Sequence, residues 1–103
     1  MKVEIGALTS LPRDQGVRVT VGEETIAVFR IGDDVYAIGD RCSHAEASLA
    51  EGDVFGTDVE CPRHGSEFDL TTGEPMSLPA TRPVPTYPVT VEDGTVFLDV
   101  EAS

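Results

Sequence analysis

The chain has 103 residues, with 19 acidic side chains against seven Lys and Arg, which gives a formal net charge of −12. A chain of this length is expected to form one domain with a modest core. Its negative charge argues against nucleic acid or an anionic membrane surface as a partner, because both would repel it.

The hydrophobic residues are spread through the chain in short runs. None of these runs approaches the roughly 18 residues of a membrane-spanning helix, and the N-terminus lacks the charged-then-apolar layout of a signal peptide. The two cysteines are too few for a disulfide scaffold. We therefore expect a cytoplasmic protein that does not associate with membranes.

The first 40 residues predict four strands. Alternating apolar residues mark a short strand within residues 1–12, and alternating valines mark a half-buried strand at 16–21. Mostly apolar runs predict two more strands, at 25–31 and 35–39. Because glycine-containing turns separate the last three strands, they are expected to form an antiparallel meander.

The middle of the chain predicts only short elements. Residues 45–52 are too few and too loosely patterned for a full helix. A small hairpin at 54–60 is expected to deliver Cys61, and residues 67–69 predict another short strand.

The last part of the chain begins with an unusual density of proline. Five of the seven prolines lie between residues 74 and 88, which favours an extended loop or a sheet edge. Residues 87–91 and 95–100 then predict two strands, joined by a hairpin turn at 92–94.

These elements predict an all-β fold in a single domain that spans residues 1–103. Base strands at about 1–40 and 81–103 would close into a small antiparallel sandwich or barrel. Residues 41–80 would be inserted between them as a subdomain that carries a metal.

The metal prediction comes from two short segments that hold every cysteine and histidine of the chain. One segment places Cys42 and His44 one residue apart, and the other places Cys61 and His64 two residues apart. Sixteen residues separate His44 from Cys61. Two loops of this kind, brought face to face, would present two sulfur and two nitrogen ligands.

Two kinds of metal centre fit this ligand set. One tetrahedral zinc ion could take all four side chains. A two-iron cluster could also take them, with two Cys on one iron and two His on the other. Zinc sites usually separate two neighbouring ligands by two to four residues, and the spacing from Cys42 to His44 is tighter.

The pattern Cys-x-His, a gap of sixteen residues and Cys-x-x-His resembles that of the Rieske family, and the resemblance covers nearly the whole chain. It implies that Cys42, His44, Cys61 and His64 bind one Rieske-type [2Fe–2S] cluster. It also implies a tight turn at Gly65. Ser66 could donate a hydrogen bond to a cluster sulfur, or its hydroxyl could simply stabilise the turn. Protein ligands and sulfides would occupy every coordination position of both irons and leave none for a substrate. The implied role is therefore one-electron transfer without catalysis.

Differences from the respiratory Rieske proteins narrow the resemblance to one group within the family. Respiratory Rieske proteins carry two extra cysteines, paired as a disulfide, where this chain has Ala47 and Arg63. They also carry a tyrosine where this chain has Phe68. The chain is more similar to the small soluble ferredoxins of aromatic-ring dioxygenases. This resemblance implies a monomeric electron carrier that takes electrons from a flavin-containing reductase and passes them to a terminal oxygenase.

Two other functions stay open. The small subunit of an assimilatory nitrite reductase is similar in fold, although some members of that group lack the cluster ligands. A zinc-stabilised interaction module would use the same four side chains. Colour distinguishes the zinc module from an iron-sulfur protein, because a zinc site is colourless and a Rieske cluster is red-brown.

Overall fold

The structure, a computed structural model, describes residues 2–41, 47–62, 65–76 and 82–100. Within these ranges the regular elements are ten strands and two single turns of 3-10 helix, which confirms the all-β prediction. The turns lie at Leu8–Ser10 and Leu49–Glu51. Over the same ranges, no helix has the length and apolar character needed to cross a membrane.

The strands are β1 (Lys2–Ala7), β2 (Gly16–Val21), β3 (Glu24–Ile31), β4 (Asp34–Gly39), β5 (Asp53–Phe55), β6 (Asp58–Glu60), β7 (Glu67–Asp69), β8 (Thr86–Tyr87), β9 (Val89–Glu92) and β10 (Thr95–Asp99). They form three antiparallel sheets with the orders β1-β10-β9, β2-β3-β4-β8 and β5-β6-β7. The pairing of β1 with β10 joins the two ends of the described chain.

Two apolar cores lie between these sheets. The base core consists of Leu11, Ile26, Val28, Ala37, Val96, Leu98 and Val100. The site core consists of Ala27, Phe29, Ile38, Leu49, Val59, Cys61, Phe68, Leu70 and Val84. The site core therefore contains one of the predicted metal ligands.

Strand β3 takes part in both cores. Successive side chains of a strand point to opposite faces, so Ile26 and Val28 enter the base core while Ala27 and Phe29 enter the site core. All four side chains are buried. Burial on both faces explains why this strand is an apolar run while β2 alternates. The sheet that contains β3 thus separates the two cores and contributes to each.

The sequence prediction was wrong about the strand at 87–91. Tyr87 belongs to β8 and pairs with Ala37 of β4, whereas Val89 begins β9 in a different sheet. Pro88 lies between the two strands and has no N–H to donate to a ladder, although its carbonyl accepts a bond from the N–H of Asp99 at 2.9 Å. The chain changes sheets at this proline.

A buried arginine ties the segment after β1 to β3. Arg30 is only 8% exposed. Its Nε donates to the carbonyl of Gly32 at 2.9 Å, and its Nη1 donates to the carbonyl of Leu8 at 3.2 Å. These bonds hold the first 3-10 turn against the end of β3.

Candidate metal centre

The second ligand segment begins where β6 ends, as the predicted hairpin required. The N–H of Cys61 donates to the carbonyl of Ser66 at 2.6 Å, and the N–H of Gly65 donates to the carbonyl of Cys61 at 3.0 Å. Gly65 has φ +74°, a left-handed conformation that favours glycine. The loop thereby closes on itself and returns the chain to β7.

The side chain of Cys61 is fully buried in the site core, where Val59 and Phe68 are also buried. A buried cysteine often serves as a small apolar side chain. A thiolate at the same place would need a compensating partner, because an unpaired charge away from water is costly. A bound metal cation would supply that compensation.

The first ligand segment follows β4 and forms the first loop. Its two ends, residues 40–41 and 48–50, are joined by hydrogen bonds, and we call this closed base the neck of the loop. The Asp40 Oδ1 atom accepts hydrogen bonds from Ser48 Oγ at 2.7 Å and from the N–H of Ala50 at 3.0 Å. The Asp40 carbonyl accepts a bond from the N–H of Leu49 at 2.6 Å. Arg41 and Ser48 form an antiparallel bridge beside these bonds. The two ends of the loop are therefore fixed to each other.

The exit of the first loop packs on the strand that delivers Cys61. A Cβ atom added to Gly52 would overlap the carbonyl oxygen of Glu60 and lie 3.1 Å from Val59 Cγ2. The φ of Gly52 is −79°, which any residue can adopt, so glycine is required here for space. Gly16 makes a similar approach on the other side, where its added Cβ would lie 2.6 Å from Ala50 Cα.

A third segment that follows β7, called the third loop below, has its two ends at Gly73 and Val84 hydrogen-bonded to each other. The N–H of Val84 donates to the carbonyl of Gly73 at 2.8 Å. Gly73 has φ +77°, and a Cβ there would overlap the carbonyl oxygen of Val84. Close to this base, the N–H of Met76 donates to the carbonyl of Glu67 in β7 at 2.6 Å. The third loop is thus anchored to the sheet that follows Cys61.

Two titratable groups near the third loop have shifted pKa values. Hydrogen bonds from the Thr71 hydroxyl and N–H lower the pKa of Asp69 below its ordinary value. Burial, followed by the hydrogen bond to Glu24 at 3.1 Å, raises the pKa of Tyr87 above its ordinary value. Both groups lie outside the predicted ligand set.

Of the four predicted ligands, the structure describes Cys61. Cys42, His44 and His64 lie outside the described residues. Within the described ranges, no cluster of three or more His, Cys, Asp or Glu side chains could hold a metal ion. The ligand set therefore stays a prediction, while the bases of the loops that would present it are in place.

Two neighbouring residues lie where the sequence suggested. Phe68, expected in the core, is fully buried in the site core. Ser66 is also fully buried, directly after the left-handed turn at Gly65. Its proposed bond to a cluster sulfur stays a prediction.

Sequence reasoning did not identify Asp40 or Gly52 as part of the site. Asp40 is one of 19 acidic residues, and only its place directly before the first ligand segment sets it apart. Gly52 follows a 3-10 turn, where glycine is ordinary. Their importance comes from close approaches between segments that are distant in sequence.

A model of the Rieske [2Fe–2S] domain family matches residues 1–88 of this chain. The anthranilate 1,2-dioxygenase ferredoxin subunit of Burkholderia cepacia is 43% identical over 96 residues, which cover 93% of this chain and 89% of that protein. Two iron and two sulfide ions with two Cys and two His are the composition of a Rieske centre. The donor set of this chain, with a buried thiol at the start of a closed loop, fits such a cluster.

Solved structures show the same likeness. The ferredoxin of carbazole 1,9a-dioxygenase from Nocardioides aromaticivorans IC177 matches with a TM-score of 0.94 and 35% identity, covering 98% of this chain and 99% of that one. A complex of reduced oxygenase and oxidized ferredoxin in carbazole 1,9a-dioxygenase matches with a TM-score of 0.89 and 39% identity, covering 94% and 91%.

The nitrite reductase alternative has weaker support. A putative NADH-dependent nitrite reductase small subunit from Mycobacterium tuberculosis matches with a TM-score of 0.89, covering 100% of this chain and 97% of that one. Its sequence identity is 26%, below that of the ferredoxins. The fold is shared, but the sequence is closer to the dioxygenase ferredoxins.

Proposed function

We propose that this chain, which belongs to the Rieske [2Fe–2S] domain family, carries single electrons to the terminal oxygenase of a dioxygenase system. The family model matches most of the chain, so the cofactor is a Rieske-type [2Fe–2S] cluster. The observation that carries the function is similarity over nearly the full length to ferredoxin subunits, together with a complete Cys₂His₂ motif. The chain is an electron carrier, and catalysis belongs to the oxygenase.

We assign Cys42 and His44 of the first loop, and Cys61 and His64 of the second, as the cluster ligands. The two cysteines would hold one iron and the two histidines the other. The burial of Cys61 and the closed loop that follows it support this assignment. When bound, the cluster supplies a one-electron redox couple.

The protein around the ligands would hold their positions and exclude water. Cys61 packs in the site core, where Leu49, Val59 and Phe68 are also fully buried. Hydrogen bonds that join Cys61 to Gly65 and Ser66 close the second loop beside this core. This arrangement favours a redox centre that is shielded from water on the core side.

The proposed partners are a terminal oxygenase and a flavin-containing reductase. The likeness to a ferredoxin solved together with its oxygenase supports the first. A net charge of −12 would favour transient docking on basic surfaces, because charge complementarity raises the rate of encounter. We further infer a monomer in the cytoplasm, where cysteine thiols stay reduced and can bind iron.

Metal analysis tests the cluster. About two iron and two acid-labile sulfide ions per chain are expected, with a red-brown colour and an EPR signal of mean g below 2 that appears on reduction. Cys61→Ser and His64→Ala should each lose the signal, because the chain has no other cysteine or histidine beyond the remaining ligands. Ser66→Ala is the matched control and should keep the cluster. One zinc ion without sulfide would contradict the proposal.

Electron transfer tests the function. Reduced protein should be reoxidised by the terminal oxygenase of a dioxygenase system, and the rate should fall as ionic strength rises. The control is the Cys61→Ser variant, which should not pass electrons. Transfer to a nitrite reductase large subunit, with none to any oxygenase, would favour the alternative.

A further inference from the structure

Asp40 differs from the other carboxylates of the described chain because it is buried. Asp40 is 5% exposed, and no other acidic residue in the described ranges is buried. A buried carboxylate is costly unless donors satisfy it. Both contacts recorded for its Oδ1 atom come from one short segment, the Ser48 hydroxyl and the Ala50 N–H.

The two donors lie across the neck of the first loop. Asp40 precedes the loop, and Ser48 and Ala50 follow it, so one carboxylate oxygen links its entrance to its exit. The 3-10 turn that contains Ala50 is held in turn by Leu49, which is fully buried in the site core. The carboxylate therefore connects the loop ends to each other and to the layer that contains Cys61.

We propose that Asp40 is a positioning residue for the cluster, because its carboxylate closes the neck of the loop that presents Cys42 and His44. The inference rests on the ligand assignment proposed above. Cys42 lies two residues after Asp40, so a change in the width of the neck is transmitted directly to the first ligand pair. Bonds to a charged acceptor are stronger than bonds between neutral groups, which makes the carboxylate suited to this closure.

A purely structural role for Asp40 predicts something different. Loss of a stabilising contact would lower the unfolding temperature and leave an intact cluster with its usual spectrum. Loss of positioning would change the geometry of one Cys and one His ligand. The EPR g values of the reduced protein and the rate of cluster loss report that geometry, while far-UV circular dichroism reports the fold.

The experiment compares holoprotein variants at two positions. Asp40→Ala removes the acceptor, whereas Asp40→Asn keeps an acceptor oxygen and removes the charge. Asp34→Ala is the matched control, since it removes an exposed carboxylate at the start of the same strand. Bleaching of the visible absorbance by an iron chelator should be at least about tenfold faster in Asp40→Ala, with shifted g values, and within about threefold of wild type in Asp40→Asn. Asp34→Ala should match wild type.

Ser48 provides a second test that does not depend on the folding of Asp40→Ala. Ser48→Ala should bleach about threefold faster than wild type, and Ser48→Thr, which keeps the hydroxyl, should restore the wild-type rate. Wild-type bleaching and g values in both Asp40→Ala and Ser48→Ala would overturn the inference. So would equally fast loss in Asp40→Asn and Asp40→Ala. Absence of a cluster from the wild-type protein would instead refute the proposed function.

Discussion

Gly52 provides the most direct test of how the two loops that are predicted to carry the ligands are held together. In Gly52→Ala the new methyl group would meet the carbonyl oxygen of Glu60, one residue before Cys61. The backbone at Gly52 suits alanine, so the substitution adds no conformational strain. The whole cost should therefore come from the overlap between the exit of the first loop and the strand that leads into the second.

The size of the effect follows from two opposing terms. Forcing an extra methyl group into a packed contact costs about 1–3 kcal/mol. Replacing glycine by alanine where the backbone is compatible returns about 0.4–1 kcal/mol through the unfolded state. The difference spans about 0–2.6 kcal/mol. Because the overlapped atom belongs to the backbone and cannot rotate away, the loss should lie in the upper half of this span, about 1.3–2.6 kcal/mol, which is roughly a 9- to 80-fold change in an opening equilibrium.

The assay is bleaching of the cluster by a chelator, measured beside thermal unfolding. Gly56→Ala is the matched control in the neighbouring hairpin. Gly56 has φ +61° and open space around it, so alanine there costs about 1–2 kcal/mol through left-handed backbone strain without touching the first loop. We expect both variants to unfold at lower temperature and only Gly52→Ala to bleach faster. Equal bleaching rates in the two variants would refute the reasoning.

Three further substitutions test individual side chains. Arg30→Met should lower the free energy of unfolding by about 1–3 kcal/mol, because buried carbonyl groups lose their donors, while the exposed Arg18→Met should change it by less than about 0.5 kcal/mol. Tyr87 keeps its proton to higher pH in the folded chain than in the unfolded one. Stability should therefore fall as pH rises from about 10.0 through the raised pKa of Tyr87, and urea titrations of Tyr87→Phe should show a shallower fall. Ser66→Ala should lower the reduction potential by up to roughly 60–130 mV in a redox titration, the equivalent of one hydrogen bond to a charged acceptor, and an unchanged potential would contradict a bond from Ser66 to the cluster.

Most strands could be predicted because burial on one face produces period-two alternation, as in β2, and burial on both faces produces an apolar run, as in β3. The valines of β2 and the apolar run of β3 gave the correct elements to within one residue. The break at Pro88 was missed, since local apolar content cannot show that the chain passes from one sheet to another. That choice is made by partners in β4 and β10, which are far away in sequence.

The site was predictable to the extent that its chemistry is local. Four rare side chains at fixed spacing identify the motif without any knowledge of the fold. The closure of the neck by Asp40 and the space left by Gly52 depend on contacts with Ser48 and Glu60 that exist only after folding. An abundant acid and a turn glycine give no sequence signal for such contacts.

The double burial of β3 has a consequence for cooperativity. Ile26 and Val28 enter one core, while Ala27 and Phe29 enter the other. Neither half of the molecule can therefore unfold without exposing one face of this strand to water. Partial unfolding is thereby penalised, and the amides of β3 should exchange with deuterium only when the whole domain opens. Cys61 lies in the same core as Ala27 and Phe29, so a redox centre bound there would share the stability of the entire domain.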